Sequence, residues 1–167
     1  MAQKNGSDVR ESVELELDKL IDHVYAKYEC ECRMNYDIGS VMLFGQPGVG
    51  KTEGTRQIAQ KIAQNHNYEF MDYSEILKRA QQENLSPADY VRKYKETTGR
   101  QPFVFVDFPL SMTEPVDLMG IPRVVDSSRP GSGVIYEPQQ WALILSENPG
   151  ILFLDELTNV QRDDVMS

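Results

Sequence analysis

The sequence is poor in the features that mark several protein classes. Only two of its 167 residues are cysteine, too few for the disulfide framework of a small secreted domain. Its longest apolar run, residues 141–145, has five residues, whereas a membrane-spanning helix needs about 20. The N-terminal segment lacks the apolar core of a signal peptide. We therefore expect a cytoplasmic protein with no membrane partner.

The composition is otherwise that of a globular protein, with 40% hydrophobic and 26% charged residues. The net charge of -9 is unevenly spread: residues 1–37 sum to -4, residues 38–100 to +2 and residues 101–167 to -7. So acidic a chain is not expected to bind nucleic acid by charge attraction. Five of its eleven glycines lie within residues 39–54, in the positively charged middle part.

Short apolar runs alternate with helical patterns along the chain, which predicts an α/β fold with a mostly parallel sheet. Strands buried on both faces are expected at 41–44, 103–106 and 151–154. Residues 68–72 are either an edge strand or part of an insertion. The predicted helices are 8–29, 52–64, 74–84, 87–97 and 138–147, and a hairpin is predicted at 121–137.

Local signals define several of these boundaries. Ser86 followed by Pro87 is typical of the start of a helix, and Gly99 of its end. Asp8 with Glu11 resembles a capping pair for the first helix. The strand at 103–106 ends in Asp107. In parallel sheets ligands gather at the carboxyl ends of the strands, so residues that follow the strands are the candidates for chemistry.

One motif of known chemistry directly follows the predicted strand 41–44. It consists of Gly45, Gln46, Pro47, Gly48, Val49, Gly50, Lys51 and Thr52, which match G-x-x-x-x-G-K-[ST] in full. The glycines let backbone N–H groups converge on phosphate oxygens, and the following helix adds the positive end of its dipole. Lys51 supplies a mobile positive charge, and the Thr52 hydroxyl is a hard oxygen ligand for Mg²⁺.

A second motif follows the predicted strand 151–154. Asp155 ends this strand at the same edge of the sheet as the glycine-rich motif, where its carboxylate can hold Mg²⁺ or a water bound to it. Glu156 can then accept the proton of a water that attacks the γ-phosphate, or orient that water. The two motifs together predict a site for ATP and Mg²⁺.

The sequence resembles the AAA+ branch of P-loop ATPases and, within it, the MoxR-like proteins. The resemblance spans residues 38–167 and is carried by residues 45–52, by Asp-Leu-Met-Gly-Ile-Pro at 117–122 and by residues 152–159. The hairpin at 121–137 fits the β-hairpin that interrupts a helix in this branch. Residues 66–100 interrupt the resemblance and are expected to be a helical insertion. Residues 1–37 are expected to form a separate N-terminal helical segment.

The resemblance implies a P-loop NTPase three-layer sandwich and ATP hydrolysis by a ring, usually a hexamer, that remodels a client protein. The implied nucleotide-binding residues are Gly45, Gln46, Pro47, Gly48, Val49, Gly50, Lys51, Thr52 and Glu53. Thr52 and Asp155 would serve Mg²⁺, and Lys51 and Glu156 would be catalytic. Ile38 and Gly39 would border the adenine.

The sensor residue, the arginine finger and the helical lid of such ATPases would lie beyond Ser167. The sequence is therefore expected to be the N-terminal part of a larger ATPase core, incomplete at its C-terminus. Three alternatives stay open. One is a nucleotide-binding module without turnover. A second, a GTPase, is disfavoured because the chain has no N/T-K-x-D base-recognition motif. The third is another P-loop enzyme such as a kinase, which is disfavoured because the Asp155–Glu156 pair favours water over a hydroxyl group as the phosphate acceptor.

Overall fold

The computed structural model describes residues 17–34, 39–46, 48–124 and 133–156. Their helices are α1 (Leu17–Met34), α2 (Lys51–Asn65), α3 (Tyr73–Gln82), α4 (Pro87–Thr98), α5 (Pro115–Met119) and α6 (Gln140–Glu147). The strands are β1 (Glu69–Asp72), β2 (Pro102–Pro109), β3 (Ile121–Val124), β4 (Val134–Glu137) and β5 (Gly150–Asp155). A 3₁₀ turn, Leu110–Met112, follows β2.

A three-stranded sheet of order β1-β2-β5 forms the centre of the structure. Both strand pairs are parallel, β1 with β2 and β2 with β5. Consecutive parallel strands need a crossover, which helices provide here. The prediction of an α/β chain with a mostly parallel sheet is confirmed.

The two faces of β2 divide the core into two clusters, because side chains alternate along a strand. Phe103 and Phe105 are fully buried on the face that packs against Ile58 and Ile62 of α2, and α1 packs on the same side. Val104 and Val106 are buried on the other face, against α3, α4 and α6. Each fully buried phenylalanine or valine contributes about 1.5–3 kcal/mol of hydrophobic stabilisation. Burial on both faces therefore makes β2 the central strand.

The segment that includes β1, α3 and α4 forms as its local sequence signals predicted. The Ser86 side chain accepts a hydrogen bond from the Asp89 backbone N–H at 3.1 Å, with Pro87 in the first turn of α4. Gly99 ends α4 in a left-handed conformation, with φ of 65°. The predicted helices 74–84 and 87–97 are α3 and α4, and the predicted edge strand is β1.

The prediction of a buried strand at 41–44 was wrong. Residues 39–46 form no helix or strand, and Val41, Met42 and Phe44 are 45%, 57% and 80% exposed. An apolar run becomes a strand only when a neighbouring strand takes up its backbone hydrogen bonds. Within the described residues, no strand pairs with this segment.

The predicted strand 151–154 exists as β5, but it is not buried on both faces. Ile151 and Phe153 pack into the cluster that contains Phe103 and Phe105. Leu152 and Leu154, on the opposite face, are 36% and 40% exposed. The reason is that α2 packs against β5 on the face of Ile151 and Phe153, whereas α6, on the other face of the sheet, packs against β2.

The predicted hairpin is present, since β3 and β4 pair antiparallel between Ile121 and Glu137. Its tip, residues 125–132, lies outside the described residues. The next helix was predicted to begin at Pro138 but begins at Gln140. Pro138 and Gln139 precede it in non-helical conformation.

The first helix is described from Leu17 and continues to Met34, five residues beyond its predicted end. Its predicted start and the proposed Asp8–Glu11 capping pair lie outside the described residues, as do residues 157–167. No helix in the described ranges has the length and apolar character to cross a membrane.

A glycine is required where β5 begins beside β2. A methyl group on Gly150 would lie 2.2 Å from the Val104 carbonyl oxygen and 2.6 Å from Leu145 Cδ2. The Gly150→Ala variant should therefore lower the free energy of unfolding by about 1–3 kcal/mol, as overpacked cores do. Gly133→Ala, where a methyl group would meet nothing within 4 Å, is the matched control and should change it by less than about 0.5 kcal/mol. Urea denaturation of both variants measures the difference, and equal stabilities would contradict this packing.

Candidate functional site

The glycine-rich loop leads directly into the N-terminus of α2. Gly48 and Gly50 have φ of 81° and 86°, a left-handed conformation that glycine adopts without steric cost. Gly50 is the residue that precedes α2, and as a glycine it has no side chain to cap the backbone N–H groups of the first turn. A helix N-terminus with free N–H groups and the positive end of the helix dipole attracts anions. Pro47 lies outside the described residues.

Lys51 folds back over the loop that precedes it. Its Nζ donates hydrogen bonds to the carbonyl oxygens of Gly45 at 2.9 Å and of Gln46 at 3.1 Å. These contacts hold the ammonium group at the mouth of the loop. They are bonds to neutral carbonyls, which a charged phosphate oxygen would replace with stronger ones.

The other residues predicted to bind nucleotide lie around this helix start. Gln46 and Val49 are exposed, Val49 by 53%. The Glu53 side chain lies along α2, where Gln57 donates a hydrogen bond to it at 3.3 Å.

The central contact of the site joins Thr52 to Asp155. Thr52 Oγ1 donates a hydrogen bond of 2.9 Å to Asp155 Oδ2, across 103 residues of sequence. The contact forms because α2 packs against β2 and β5, so that its first turn reaches the end of β5. The structure thus brings together the two residues that were predicted to serve Mg²⁺.

Glu156 lies directly after this contact, in an unusual backbone conformation. Its φ is 57°, which is uncommon for a residue other than glycine. Its backbone N–H donates to Asp155 Oδ1 at 2.8 Å, so both oxygens of Asp155 are engaged. The Glu156 side chain is exposed. The turn leaves this carboxylate in solvent beside the Thr52–Asp155 pair.

The sequence analysis noted Asp107 at the end of a strand but did not include it among the predicted site residues. It continues the face of β2 that carries Phe103 and Phe105, the face on which α2 lies. Loss of hydration raises the pKa of Asp107, the nearby negative charge of Asp155 raises it further, and Arg56 opposes both effects. The available signal was an acidic residue directly after a buried strand, the same pattern that identified Asp155.

Arg56 is the second residue that was missed. It lies one turn after Thr52 on α2, with its guanidinium 5.1 Å from the centre of the Phe105 ring. It also forms an ion pair with Asp72, a buried residue whose side chain caps α3. Arg56 therefore ties the helix of the glycine-rich loop to the segment that carries β1 and α3.

The motif at 117–122 lies at the base of the hairpin. Asp117 Oδ2 accepts a hydrogen bond from the Glu114 backbone N–H at 3.0 Å and so caps α5. The Trp141 indole N–H donates to the Asp117 carbonyl at 3.1 Å. Gly120 packs against the backbone of Glu137, which leaves no room for a side chain. These contacts fix α5 and the hairpin against α6.

Of the two residues expected to border an adenine, Ile38 lies outside the described residues. Gly39 is exposed, and its carbonyl accepts a hydrogen bond from Lys27.

The oxygen groups at the end of β5 suit a cation that brings further ligands of its own. Within the described ranges, no group of three or more His, Cys, Asp or Glu residues could hold a metal ion alone. Mg²⁺ usually takes one or two carboxylates and completes its shell with water and phosphate oxygens. The Thr52 hydroxyl and the Asp155 carboxylate fit that requirement.

Comparison of the chain with protein-family models, with curated proteins and with solved structures finds no match. The function must therefore be argued from the chain's own residues.

The raised pKa of Asp107 predicts a pH-dependent stability. Its folded-state pKa lies above its unfolded-state value, so the ionised carboxylate destabilises the fold above the folded-state pKa. The penalty shrinks as the pH falls through the folded-state pKa and disappears below about pH 3, where the group is protonated in both states. Asp107→Asn should therefore raise the melting temperature at pH 7, and this gain should vanish as the pH falls to about 3.

Thermal unfolding of the variant and of the wild type, at pH 7 and at low pH, measures this effect. Glu96→Gln removes an exposed carboxylate from α4 and controls for the change in net charge. Its melting temperature should differ little from that of the wild type at pH 7, with no gain that vanishes at low pH. A lower melting temperature of Asp107→Asn at pH 7 would contradict the prediction.

Proposed function

We propose that this chain binds ATP together with Mg²⁺ and hydrolyses it. The observation that carries the proposal is the 2.9 Å hydrogen bond between Thr52 and Asp155. It joins the Thr52 hydroxyl of a complete phosphate-loop motif to the acidic residue at the end of β5, and P-loop ATPases hold Mg²⁺ with such a hydroxyl and such an acidic residue.

The glycine-rich loop would bind the phosphates. Its left-handed glycines and the first turn of α2, which begins after a glycine and not after a capping side chain, offer backbone N–H groups to an anion. Lys51 already lies over the loop, held by two carbonyl oxygens. Lys51 would form stronger hydrogen bonds with the charged oxygens of a triphosphate than with these neutral carbonyls, which supports a role for Lys51 in binding.

Mg²⁺, when bound, supplies charge neutralisation for the phosphates. Thr52 and Asp155 are the residues that would hold it. Thr52 would turn its hydroxyl lone pairs from solvent to the cation, and Asp155 would keep the Glu156 backbone N–H as a partner on its other oxygen.

Glu156 would act as the base for hydrolysis. Its exposed carboxylate follows Asp155 directly, and its backbone lies in a left-handed turn. A carboxylate that does not hold the cation is free to accept a proton from water or to orient it. The two adjacent acids would therefore have different roles.

The resemblance to MoxR-like AAA+ ATPases supports a more specific proposal. In that family ATP hydrolysis drives a ring, usually a hexamer, that remodels a protein client. We extend this role to the present chain as part of a cytoplasmic assembly of that kind, whose client the residues do not identify.

The proposal predicts that Lys51 and Glu156 have separable roles. Lys51→Ala should weaken binding of a fluorescent ATP analogue at least tenfold, since it removes a charge-assisted hydrogen bond. Glu156→Gln should bind the analogue as the wild type does but lower Mg²⁺-dependent phosphate release about 10²- to 10⁴-fold, because only the base is lost. Lys95→Ala on α4 is the control for removal of an exposed lysine.

Three outcomes would count against the proposal. Unchanged binding by Lys51→Ala would contradict the assignment of the phosphate site. ATP binding by the wild type without phosphate release would contradict hydrolysis and favour a nucleotide-binding module. Equal competition by GTP would contradict the choice of ATP.

A further inference from the structure

Asp107 lies on the same face of the sheet as the proposed site. Side chains alternate along a strand, so Phe103, Phe105 and Asp107 of β2 all face α2. The two phenylalanines are fully buried in the core beneath that helix. Asp107 is the first residue of this row to extend past the core toward the carboxyl end of the sheet.

The register of the sheet then places Asp107 beside Asp155. In the parallel pairing of β2 with β5, Asp107 is opposite Phe153, and Asp155 is opposite Pro109. Phe153 packs in the same core cluster as Phe105, and Asp155 is two residues further along β5 on that face. Asp107 and Asp155 are therefore diagonal neighbours on adjacent strands.

Arg56, the positively charged side chain that acts on Asp107, is already engaged. Arg56 lies over the Phe105 ring and forms its ion pair with Asp72. In the described part of the chain, the Asp107 carboxylate accepts no side-chain hydrogen bond. Asp155, in contrast, has both oxygens occupied by Thr52 and Glu156.

Two carboxylates on neighbouring strands repel each other, and a divalent cation close to both removes that repulsion. We propose that Asp107 is a second carboxylate of the cation site, a positioning residue that helps Thr52 and Asp155 to attract and hold the divalent cation of a nucleotide. This inference rests on the proposed function. It deepens that function by adding a residue from the central strand, which belongs to neither of the two sequence motifs.

A purely structural role for Asp107 would be a contact with Arg56 that steadies α2 on the sheet. The two roles predict different results. Loss of a structural contact would weaken nucleotide binding whether or not metal is present. Loss of a cation-holding carboxylate would leave metal-free binding intact and change only its response to Mg²⁺.

The experiment measures binding of a fluorescent ATP analogue to the full chain, first in EDTA and then at increasing Mg²⁺ concentration. Asp107→Asn should bind as the wild type does in EDTA but need about tenfold more Mg²⁺ for the half-maximal metal-dependent gain in affinity, as loss of an outer partner of a metal site does. Asp107→Glu, which keeps the charge, should restore part of the Mg²⁺ response. Glu96→Gln on α4, on the other side of the sheet from α2, should behave as the wild type.

Each result bears on the inference. A wild-type Mg²⁺ response of Asp107→Asn would overturn it, and so would an equal loss of affinity with and without metal. Thermal unfolding of each variant verifies that the compared chains are folded. Failure of the proposed function is distinguishable, because it would appear as unchanged metal-free binding by Lys51→Ala, whatever Asp107→Asn does.

Discussion

The parallel pairing of β2 with β5 is the constraint on which the candidate site depends. It sets Asp155 two residues beyond Phe153, on the face where Ile58 and Ile62 of α2 pack against the phenylalanines of β2. That packing brings the first turn of α2 to the end of β5, where Thr52 meets Asp155. A slip of one residue would turn Asp155 to the opposite face and separate the two motifs. The hydrophobic core therefore determines the geometry of the polar site.

The site gathers features that do not favour the stability of the fold. Asp107 lies close enough to Asp155 for their charges to repel, and its pKa is raised. Glu156 adopts a backbone conformation that costs energy for a residue other than glycine. The residue that precedes α2 is Gly50, which has no side chain to cap the first turn. Residues and backbone conformations that lower the stability of a fold are expected to concentrate where a protein binds a ligand.

Local sequence signals predicted correctly those helix ends that depend on residues nearby in the chain and not on contacts with distant segments. Ser86 with Pro87 and Gly99 marked the ends of α4, because caps depend on residues close in sequence. The apolar run at 41–44 failed as a predicted strand, because a strand also needs a partner that composition cannot supply. In the site, the motifs identified Thr52 and Asp155. Asp107 and Arg56 were missed because strand register and helix packing, not a sequence motif, bring them there.

The central claim is that the glycine-rich loop and the end of β5 form one metal–nucleotide site. Nuclear magnetic resonance of the ¹⁵N-labelled chain with ATP and paramagnetic Mn²⁺ tests it most directly, since Mn²⁺ broadens the signals of nearby amides. The account predicts that the amide signals of Thr52 and Glu156 broaden together, and only when both ATP and Mn²⁺ are present, while that of Glu96 on α4 stays sharp. Broadening of only one of the two motifs, or of neither, would contradict it.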